Sequence, residues 1–264
     1  MSSRQTRDLI RRHHLLRKQL TDARVQKDQT RVRKVQAELD EAGGLDRYQQ
    51  ASVQGQSLDR GGDTSRILVQ WLKEARVHTD QSNKKLRILE VGALQVDNAY
   101  ASSNLFEIER IDLQSRHPDI KTQDFRHRPV PDREHLQSNG FDIVSLSLVL
   151  NFVDNSMDRG LMLRKVGQLL RACQTGKSRY HKYFPCLFFV LPAPCIYNSR
   201  YINEELLRTM MDSLGFHLLK MKRSPKLVYQ LWKFDETATK AEQTFRKREV
   251  RTGSSRNNFA ITLG

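Results

Sequence analysis

Cysteine is scarce in this chain: three in 264 residues, Cys173, Cys186 and Cys195, none in a C-x-x-C pair. An odd, scattered set excludes a disulfide framework and a structural zinc site. The eight histidines include the neighbours His13–His14 but form no H-E-x-x-H pattern and no Cys/His block, so no metal is expected. Long apolar runs are missing too. The stretch at Val144–Val153 is broken by serines and an asparagine, short of the roughly 18 residues of a membrane span. The N-terminus carries Arg4, Arg7, Arg11 and Arg12 without the apolar core of a secretory signal. The expectation is a soluble intracellular protein, monomeric by default, with no membrane or metal partner.

Positive charge is plentiful, at 45 Lys+Arg against 30 Asp+Glu and a net of +15. It is unevenly spread. Residues 1–40 carry a net of +6, residues 41–170 a net of −1, residues 171–233 a net of +8, and the remainder +2. A near-neutral stretch flanked by basic ones points to a polyanion partner, nucleic acid ahead of a merely solubilising charge.

Along the chain, Leu9 and Leu16, and then Val25, Val32 and Leu39, recur at seven-residue intervals among Arg, Lys and Gln, which predicts one basic helix over 1–40 that ends at Gly43–Gly44. After a punctuated segment, Asp63 or Thr64 caps a helix with the stripe Ile67, Leu68, Trp71, Leu72 and Ala75. Residues 1–83 therefore read as a helical extension. From Leu86 short apolar strands alternate with helices: strands at Leu86–Val91, Phe106–Leu113, Ile120–Phe125, Phe141–Ser147 and Cys186–Leu191, and helices at Met157–Ala172 and Glu204–Leu214, the latter capped by Asn203 and stopped by Gly215. Two more strands, Phe216–Lys222 and Lys226–Phe234, close the pattern. This predicts an α/β domain over 84–234 with a doubly wound, mostly parallel sheet and an antiparallel edge. Residues 235–264, with Arg246-Lys247-Arg248, read as a flexible basic tail.

In an open parallel sheet the ligand lies beyond the carboxyl ends of the strands. Glu90-x-Gly92 ends the first strand, where glycine allows close backbone approach and leaves amides open. Asp112, 20 residues on, suits the two hydroxyls of a ribose. Asp124-Phe125 ends the third strand, where a carboxylate and an aromatic suit an adenine amino group and ring. A dinucleotide would want G-x-G-x-x-G to seat its pyrophosphate, and here Gly92-Ala93-Leu94-Gln95-Val96-Asp97 has one glycine. S-adenosylmethionine has no phosphate and carries a positive sulfonium, so it fits better.

Leu89-Glu90-Val91-Gly92, Ile111-Asp112-Leu113, Gln123-Asp124-Phe125 and Phe141-Asp142-Ile143-Val144-Ser145-Leu146-Ser147 resemble successive elements of a class I methyltransferase, whose sheet has seven strands. With Arg60-Gly61-Gly62-Asp63 upstream and Leu191-Pro192-Ala193-Pro194-Cys195-Ile196-Tyr197-Asn198-Ser199-Arg200-Tyr201 downstream, residues 45–234 resemble the fungal nucleolar 25S ribosomal RNA adenine-N1 methyltransferase family. The resemblance implies cofactor contacts at Gly92 and Asp112, with Asp124 and Phe125 at the adenine end; Glu90 and Ser147 complete the candidate cofactor set. It also implies a ribosomal RNA or preribosome partner and a nuclear, nucleolar location. Leu94 departs from the general methyltransferase pattern, in which a second glycine is common.

The turn after the fourth strand, Ser147-Leu148-Val149-Leu150-Asn151, lacks the Asn/Asp-Pro-Pro-aromatic motif with which exocyclic-amine methyltransferases grip their target, and this favours a ring nitrogen. Tyr197 and Asn198 are the candidate catalytic pair, an aromatic to stack the base and an amide to read its edge; the bland reading is a proline-shaped loop whose tyrosines pack. Arg200, Lys220, Lys222, Arg223 and Lys226 are the candidate RNA contacts. The Arg60–Asp63 turn either folds over the cofactor or starts a helix. Two rivals stand: a non-catalytic S-adenosylmethionine sensor acting through protein partners, for which the basic charge is unneeded, and a nicotinamide-dependent oxidoreductase, weakened by the missing glycines.

Overall fold

A computed structural model describes residues 9–43, with interruptions at 10–11, 14, 17–18 and 21, together with 62–77, 85–115, 117–171, 182–239 and 243–264. The chain divides into two compact units, Met1–Asp63 and Thr64–Gly264. The Arg60-Gly61 half of the upstream turn, the loop at Gln81–Asn83 and Cys173 lie outside the described residues.

In the first unit the expected single helix is two. Residues 22–25 are helical, but Lys27 takes a left-handed φ of 55°. Asp28 then caps a new helix, α1 (Gln29–Glu41), by accepting from the Arg31 amide at 2.9 Å. The chain reverses, and Leu16 and Leu20 pack on Val35 and Leu39. Val25, a member of the seven-residue repeat, lies at the turn and is 78% exposed.

The second unit is built on one sheet. Its strands are β1 (Leu86–Val91), β2 (Phe106–Asp112), β3 (Lys121–Thr122), β4 (Ile143–Ser147), β5 (Cys186–Pro192), β6 (Phe216–Arg223) and β7 (Leu227–Phe234). Their order is β3-β2-β1-β4-β5-β7-β6. Strands β1 to β5 pair in parallel, and β7 runs antiparallel to both β5 and β6. This is the expected seven-stranded, doubly wound class I methyltransferase sheet. The predicted third strand shrinks to two residues, because Asp124 caps a 3-10 turn at Phe125–His127.

Both faces of the sheet are buried, which is why β5 reads as a continuous apolar run. Alternate residues go to opposite layers. Leu187, Phe189 and Leu191 meet the helices α4 (Ser156–Leu169) and α6 (Glu204–Ser213) through Met162, Leu163, Val166, Leu207 and Met211. Phe188 and Val190 meet α2 (Ser65–Glu74) through Leu68, Trp71 and Leu72, with Trp71 edge-on to Phe188 at 6.1 Å. The sequence reading placed α2 in the extension; its apolar stripe instead covers the sheet. Two short helices escaped that reading. They are α3 (Arg133–Asn139), which buries nothing, and α5 (Ala193–Tyr197), where a loop was expected.

The largest departure is at the C-terminus. Residues expected as a flexible tail pack into the core: Phe245, Phe259, Ile261 and Leu263 join the layer that contains α4. Phe245 bridges Leu263 antiparallel, and the Thr262 amide donates to the Ser156 carbonyl at 3.0 Å. Phe259, Ile261 and Leu263 alternate in an uncharged stretch, a short strand-like signal that the charges before it mask.

Gly160 of α4 measures this packing, since a Cβ there would lie 1.9 Å from the Thr262 carbonyl oxygen. On helix propensity alone Gly160→Ala would stabilise by up to about 1 kcal/mol. With the C-terminal segment seated, it should destabilise by about 1–3 kcal/mol. Denaturant unfolding of the two proteins reads the sign directly.

Candidate active site

The strand order reverses between β1's two neighbours, β2 and β4, and the crevice opens beyond their carboxyl ends. Gly92 follows β1 with φ +73°, and a Cβ there would lie 2.9 Å from Val149 Cγ2. The turns after β1 and β4 thus pass in contact, and glycine permits both the backbone angle and the approach. Its amides are not open as expected. Those of Gly92 and Ala93 donate to the Ile111 carbonyl at 2.8 and 3.2 Å, tying the turn to β2. Glu90 is likewise engaged, accepting from Asn98 Nδ2 at 2.7 Å and lying 3.2 Å from Arg110 Nε. Its carboxylate braces the turn from within.

Asp112 ends β2, where its carboxylate accepts from the Gln114 amide at 2.8 Å. Burial, opposed by backbone hydrogen bonds from Gln114 and Leu113, leaves its carboxyl above the usual aspartate range. Beside it Leu113 is 54% exposed, an apolar side chain in water at the mouth of the crevice; the sequence marked it only as a strand end.

Asp124 does not stand open to an adenine amino group. Its carboxylate accepts from the Arg126 amide at 2.8 Å and the Arg126 guanidinium at 2.7 Å, and lies 3.1 Å from His127 Nδ1. Burial opposes ionisation, yet the hydrogen bonds from Arg126 outweigh it and hold the carboxyl below its usual range. Arg126 also reaches Asp158 at 3.0 Å, fastening this turn to α4. Phe125, expected as an adenine-stacking ring, is 3% exposed and sits in the apolar layer against Val91 and Leu146. It forms the wall rather than a free face.

Beyond β4, Ser147 Oγ lies 2.7 Å from Thr64 Oγ1. Thr64 occupies the N-cap position of α2 but makes no side-chain capping bond, so its hydroxyl serves the strand end instead. Leu148 takes φ +58°, a left-handed backbone that costs a leucine about 1–2 kcal/mol. Asn151, in the 3-10 turn Leu150–Phe152, has a buried side-chain oxygen with no hydrogen-bond partner. The sequence reading passed over Thr64, Leu148 and Asn151 as site residues. The signal available was the motif lost between Ser147 and Asn151.

The proposed catalytic pair follows β5 as predicted, but its side chains are taken. Tyr197 donates its hydroxyl to Glu204 at 3.1 Å, and the Arg223 guanidinium lies 3.8 Å from its ring centre. Burial and Glu204 push the phenol above its usual range. Asn198 donates to the Ser255 carbonyl at 3.2 Å and accepts from Arg256 at 2.9 Å. It anchors the C-terminal segment, and reading a base would require breaking that bond. Arg159, 8% exposed, donates to the carbonyls of Leu150 and Val153 at 3.1 and 2.9 Å and to that of Ala260. The turn after β4 and the C-terminal segment therefore share one guanidinium.

The candidate RNA contacts separate. Lys222, Arg223 and Lys226 are exposed around the β6–β7 hairpin tip, beside Pro192 at the carboxyl end of β5. Lys220 is paired with Glu74 at 2.8 Å, and Arg200 donates to the Gly253 carbonyl at 2.9 Å. Burial raises the Cys195 thiol to about 12 and also pushes up Cys186, which removes both as thiolate nucleophiles or metal ligands. No cluster of three potential metal ligands occurs among the described residues, and no described helix is long and apolar enough to cross a membrane.

The family model described as 25S rRNA (adenine(2142)-N(1))-methyltransferase, Bmt2, matches residues 33–261. The chain belongs to this family. The 25S rRNA adenine-N(1) methyltransferase of Schizosaccharomyces pombe is 35% identical over 260 residues, covering 96% of this chain and 89% of that protein. The 25S rRNA (adenine(2142)-N(1))-methyltransferase of Saccharomyces cerevisiae is 35% identical over 227 residues, 86% of this chain and 62% of that protein. Among solved structures, the N-methyltransferase NodS from Bradyrhizobium japonicum WM9, in complex with S-adenosyl-l-homocysteine, aligns at TM-score 0.41 with 10% identity, covering 68% of this chain and 92% of that one. The fold assignment rests on the strand order. The family match extends through Ile261 and so includes the C-terminal segment that the sequence reading set aside as a tail.

Asp112→Asn keeps an acceptor for the Gln114 amide and removes the charge. A carboxyl raised in the fold contributes stability below its unfolded value and loses it as pH rises through the folded value. At neutral pH the Asn variant should therefore melt no lower than the parent. It should bind S-adenosylmethionine about 10- to 100-fold more weakly, the effect of losing a charge-assisted bond. The parent's affinity should fall on acidification from a higher pH than an exposed aspartate would give. Calorimetric titration across pH reads both; unchanged affinity in the variant removes Asp112 from the site.

Proposed function

We propose that this protein transfers the methyl group of S-adenosylmethionine to N1 of an adenine in large-subunit (25S) ribosomal RNA, within the nucleolus. The family match along nearly the whole chain carries this reading. The crevice suits the cofactor: a half-buried carboxylate at Asp112, an apolar neighbour at Leu113, a close backbone approach that a Cβ at residue 92 would fill, and an unpaired buried acceptor at Asn151. When bound, the cofactor supplies a methyl group on a positive sulfonium that is already a good leaving group.

The protein's part is positioning and exclusion of water. Asp112 accepts the ribose hydroxyls, and Leu113 shields the nucleoside beside it. Gly92 lets the turns after β1 and β4 close on each other. Adenine N1 attacks with its own lone pair, so the site needs no general base, in keeping with two protonated thiols and a phenol raised above its usual range. Because N1 lies on the pairing edge, the adenine must be unpaired or flipped out. Transfer makes the ring cationic and its amino group a stronger donor, and the Asn151 oxygen is an acceptor suited to that group. Glu90, Ser147 and Asp124 hold the surrounding turns through Arg110, Thr64 and Arg126. The nucleolar location is supported by the substrate, since large-subunit RNA is made and first processed there.

Mass-spectrometric nucleoside analysis of large-subunit RNA tests this. Cells lacking the protein should lose 1-methyladenosine, and the wild-type chain should restore it. Asn151→Leu, which removes an unsatisfied buried oxygen, should melt at or above the wild type yet restore markedly less. Unchanged modification on deletion would contradict the proposal and direct attention to the sensor reading.

A further inference from the structure

We infer that the C-terminal segment is part of the RNA-binding surface, its Lys247 and Arg248 joining Lys222, Arg223 and Lys226 of the β6–β7 hairpin to grip phosphates flanking the target adenine. This rests on the function proposed above and adds a surface to it. Arg246-Lys247-Arg248 is an exposed run, and it is held in place from both ends. Phe245 before it is buried, with its amide bonded to the Leu263 carbonyl at 2.6 Å. Arg251 after it donates to the carbonyls of Ile196, Ser199 and Ile202 at 2.8, 3.1 and 3.1 Å. These three carbonyls belong to α5 and the turn that follows it, so the run is fixed to the segment just beyond the carboxyl end of β5.

The same segment presents two tyrosines, Tyr197 at the end of α5 and Tyr201 in the turn after it, each with a cation on its ring. Lys247 Nζ lies 4.3 Å from the Tyr201 ring centre, and the Arg223 guanidinium lies 3.8 Å from that of Tyr197. One cation comes from the C-terminal segment and the other from the hairpin, so the two basic groups meet across four residues beyond β5. Exposed cations interleaved with aromatic faces match RNA, whose phosphates take the charge and whose unstacked bases take the rings. Lys220, engaged by Glu74, is left out of the surface.

The test compares two double variants of the full chain. Lys247→Gln/Arg248→Gln removes two cations from the surface. Lys85→Gln/Lys182→Gln removes two exposed cations from the opposite, amino end of the parallel strands, just before β1 and β5. Binding to a large-subunit RNA fragment is measured by filter retention over a series of KCl concentrations. The first double should bind about tenfold more weakly, and its log–log salt slope should fall by about 1.5, the share of two phosphate contacts. Its melting temperature and S-adenosylmethionine affinity should stay unchanged. Lys247→Arg/Arg248→Lys should bind like the wild type. Equal losses from the two Gln doubles, with the wild type binding well, would overturn this inference alone. A wild-type chain that fails to bind the RNA at low salt would overturn the proposed function with it.

Discussion

A missing methyl group sets the spacing of the site. With Cα atoms of paired strands about 5 Å apart, the turns leaving β1 and β4 have little room to diverge, and at Gly92 a Cβ would come within 2.9 Å of Val149. Glycine resolves the conflict twice, by its left-handed backbone and by its lack of a side chain. On the other side of the contact the turn after β4 carries its own strain at Leu148, held by the Leu148 amide's bond to the Val190 carbonyl at 3.0 Å. Two turns that each carry a left-handed residue are thus pressed together at the carboxyl ends of β1 and β4.

Around this contact the polar groups act mainly as fasteners. Glu90 with Arg110, Asp124 with Arg126, and Ser147 with Thr64 each spend a strand-end side chain on holding a turn. Arg159 does the same on a larger scale. A buried guanidinium is expensive unless its donors are satisfied, and here burial lowers its proton affinity while three backbone carbonyls accept from it. Two of these belong to the turn after β4 and one to the C-terminal segment, and the Phe259 ring lies 4.4 Å from the guanidinium carbon. Seating the segment therefore orders the turn after β4. What the sequence presents as a basic tail is a closing element of the catalytic unit.

The sheet was legible because each strand carries its own local signal, an apolar run ended by a polar or glycine residue. The positions of Asp112 and Gly92 were legible for the same reason, since periodicity locates where a strand stops. The roles of Ser147, Asn198 and Arg159 were not, because a role depends on a partner. Ser147 and Thr64 are separated by 83 residues, Asn198 and Arg256 by 58, and Arg159 and Ala260 by 101. No spacing rule reaches across such distances. The C-terminal segment failed on composition, since the charges of residues 235–256 outweigh the short alternating run of Phe259, Ile261 and Leu263 at its end. The N-terminal helix failed on continuity, because a repeat every seven residues runs through the Lys27–Asp28 turn unbroken.

The most direct measurement is methyl transfer by the purified full chain, from S-adenosylmethionine labelled in the methyl group to large-subunit RNA, followed by digestion to nucleosides. The account predicts that the label appears as 1-methyladenosine and nowhere else. Label in N6-methyladenosine or in another base would contradict the assignment of N1 to a site lacking an amine-gripping motif after β4, and no transfer at all would contradict the enzyme.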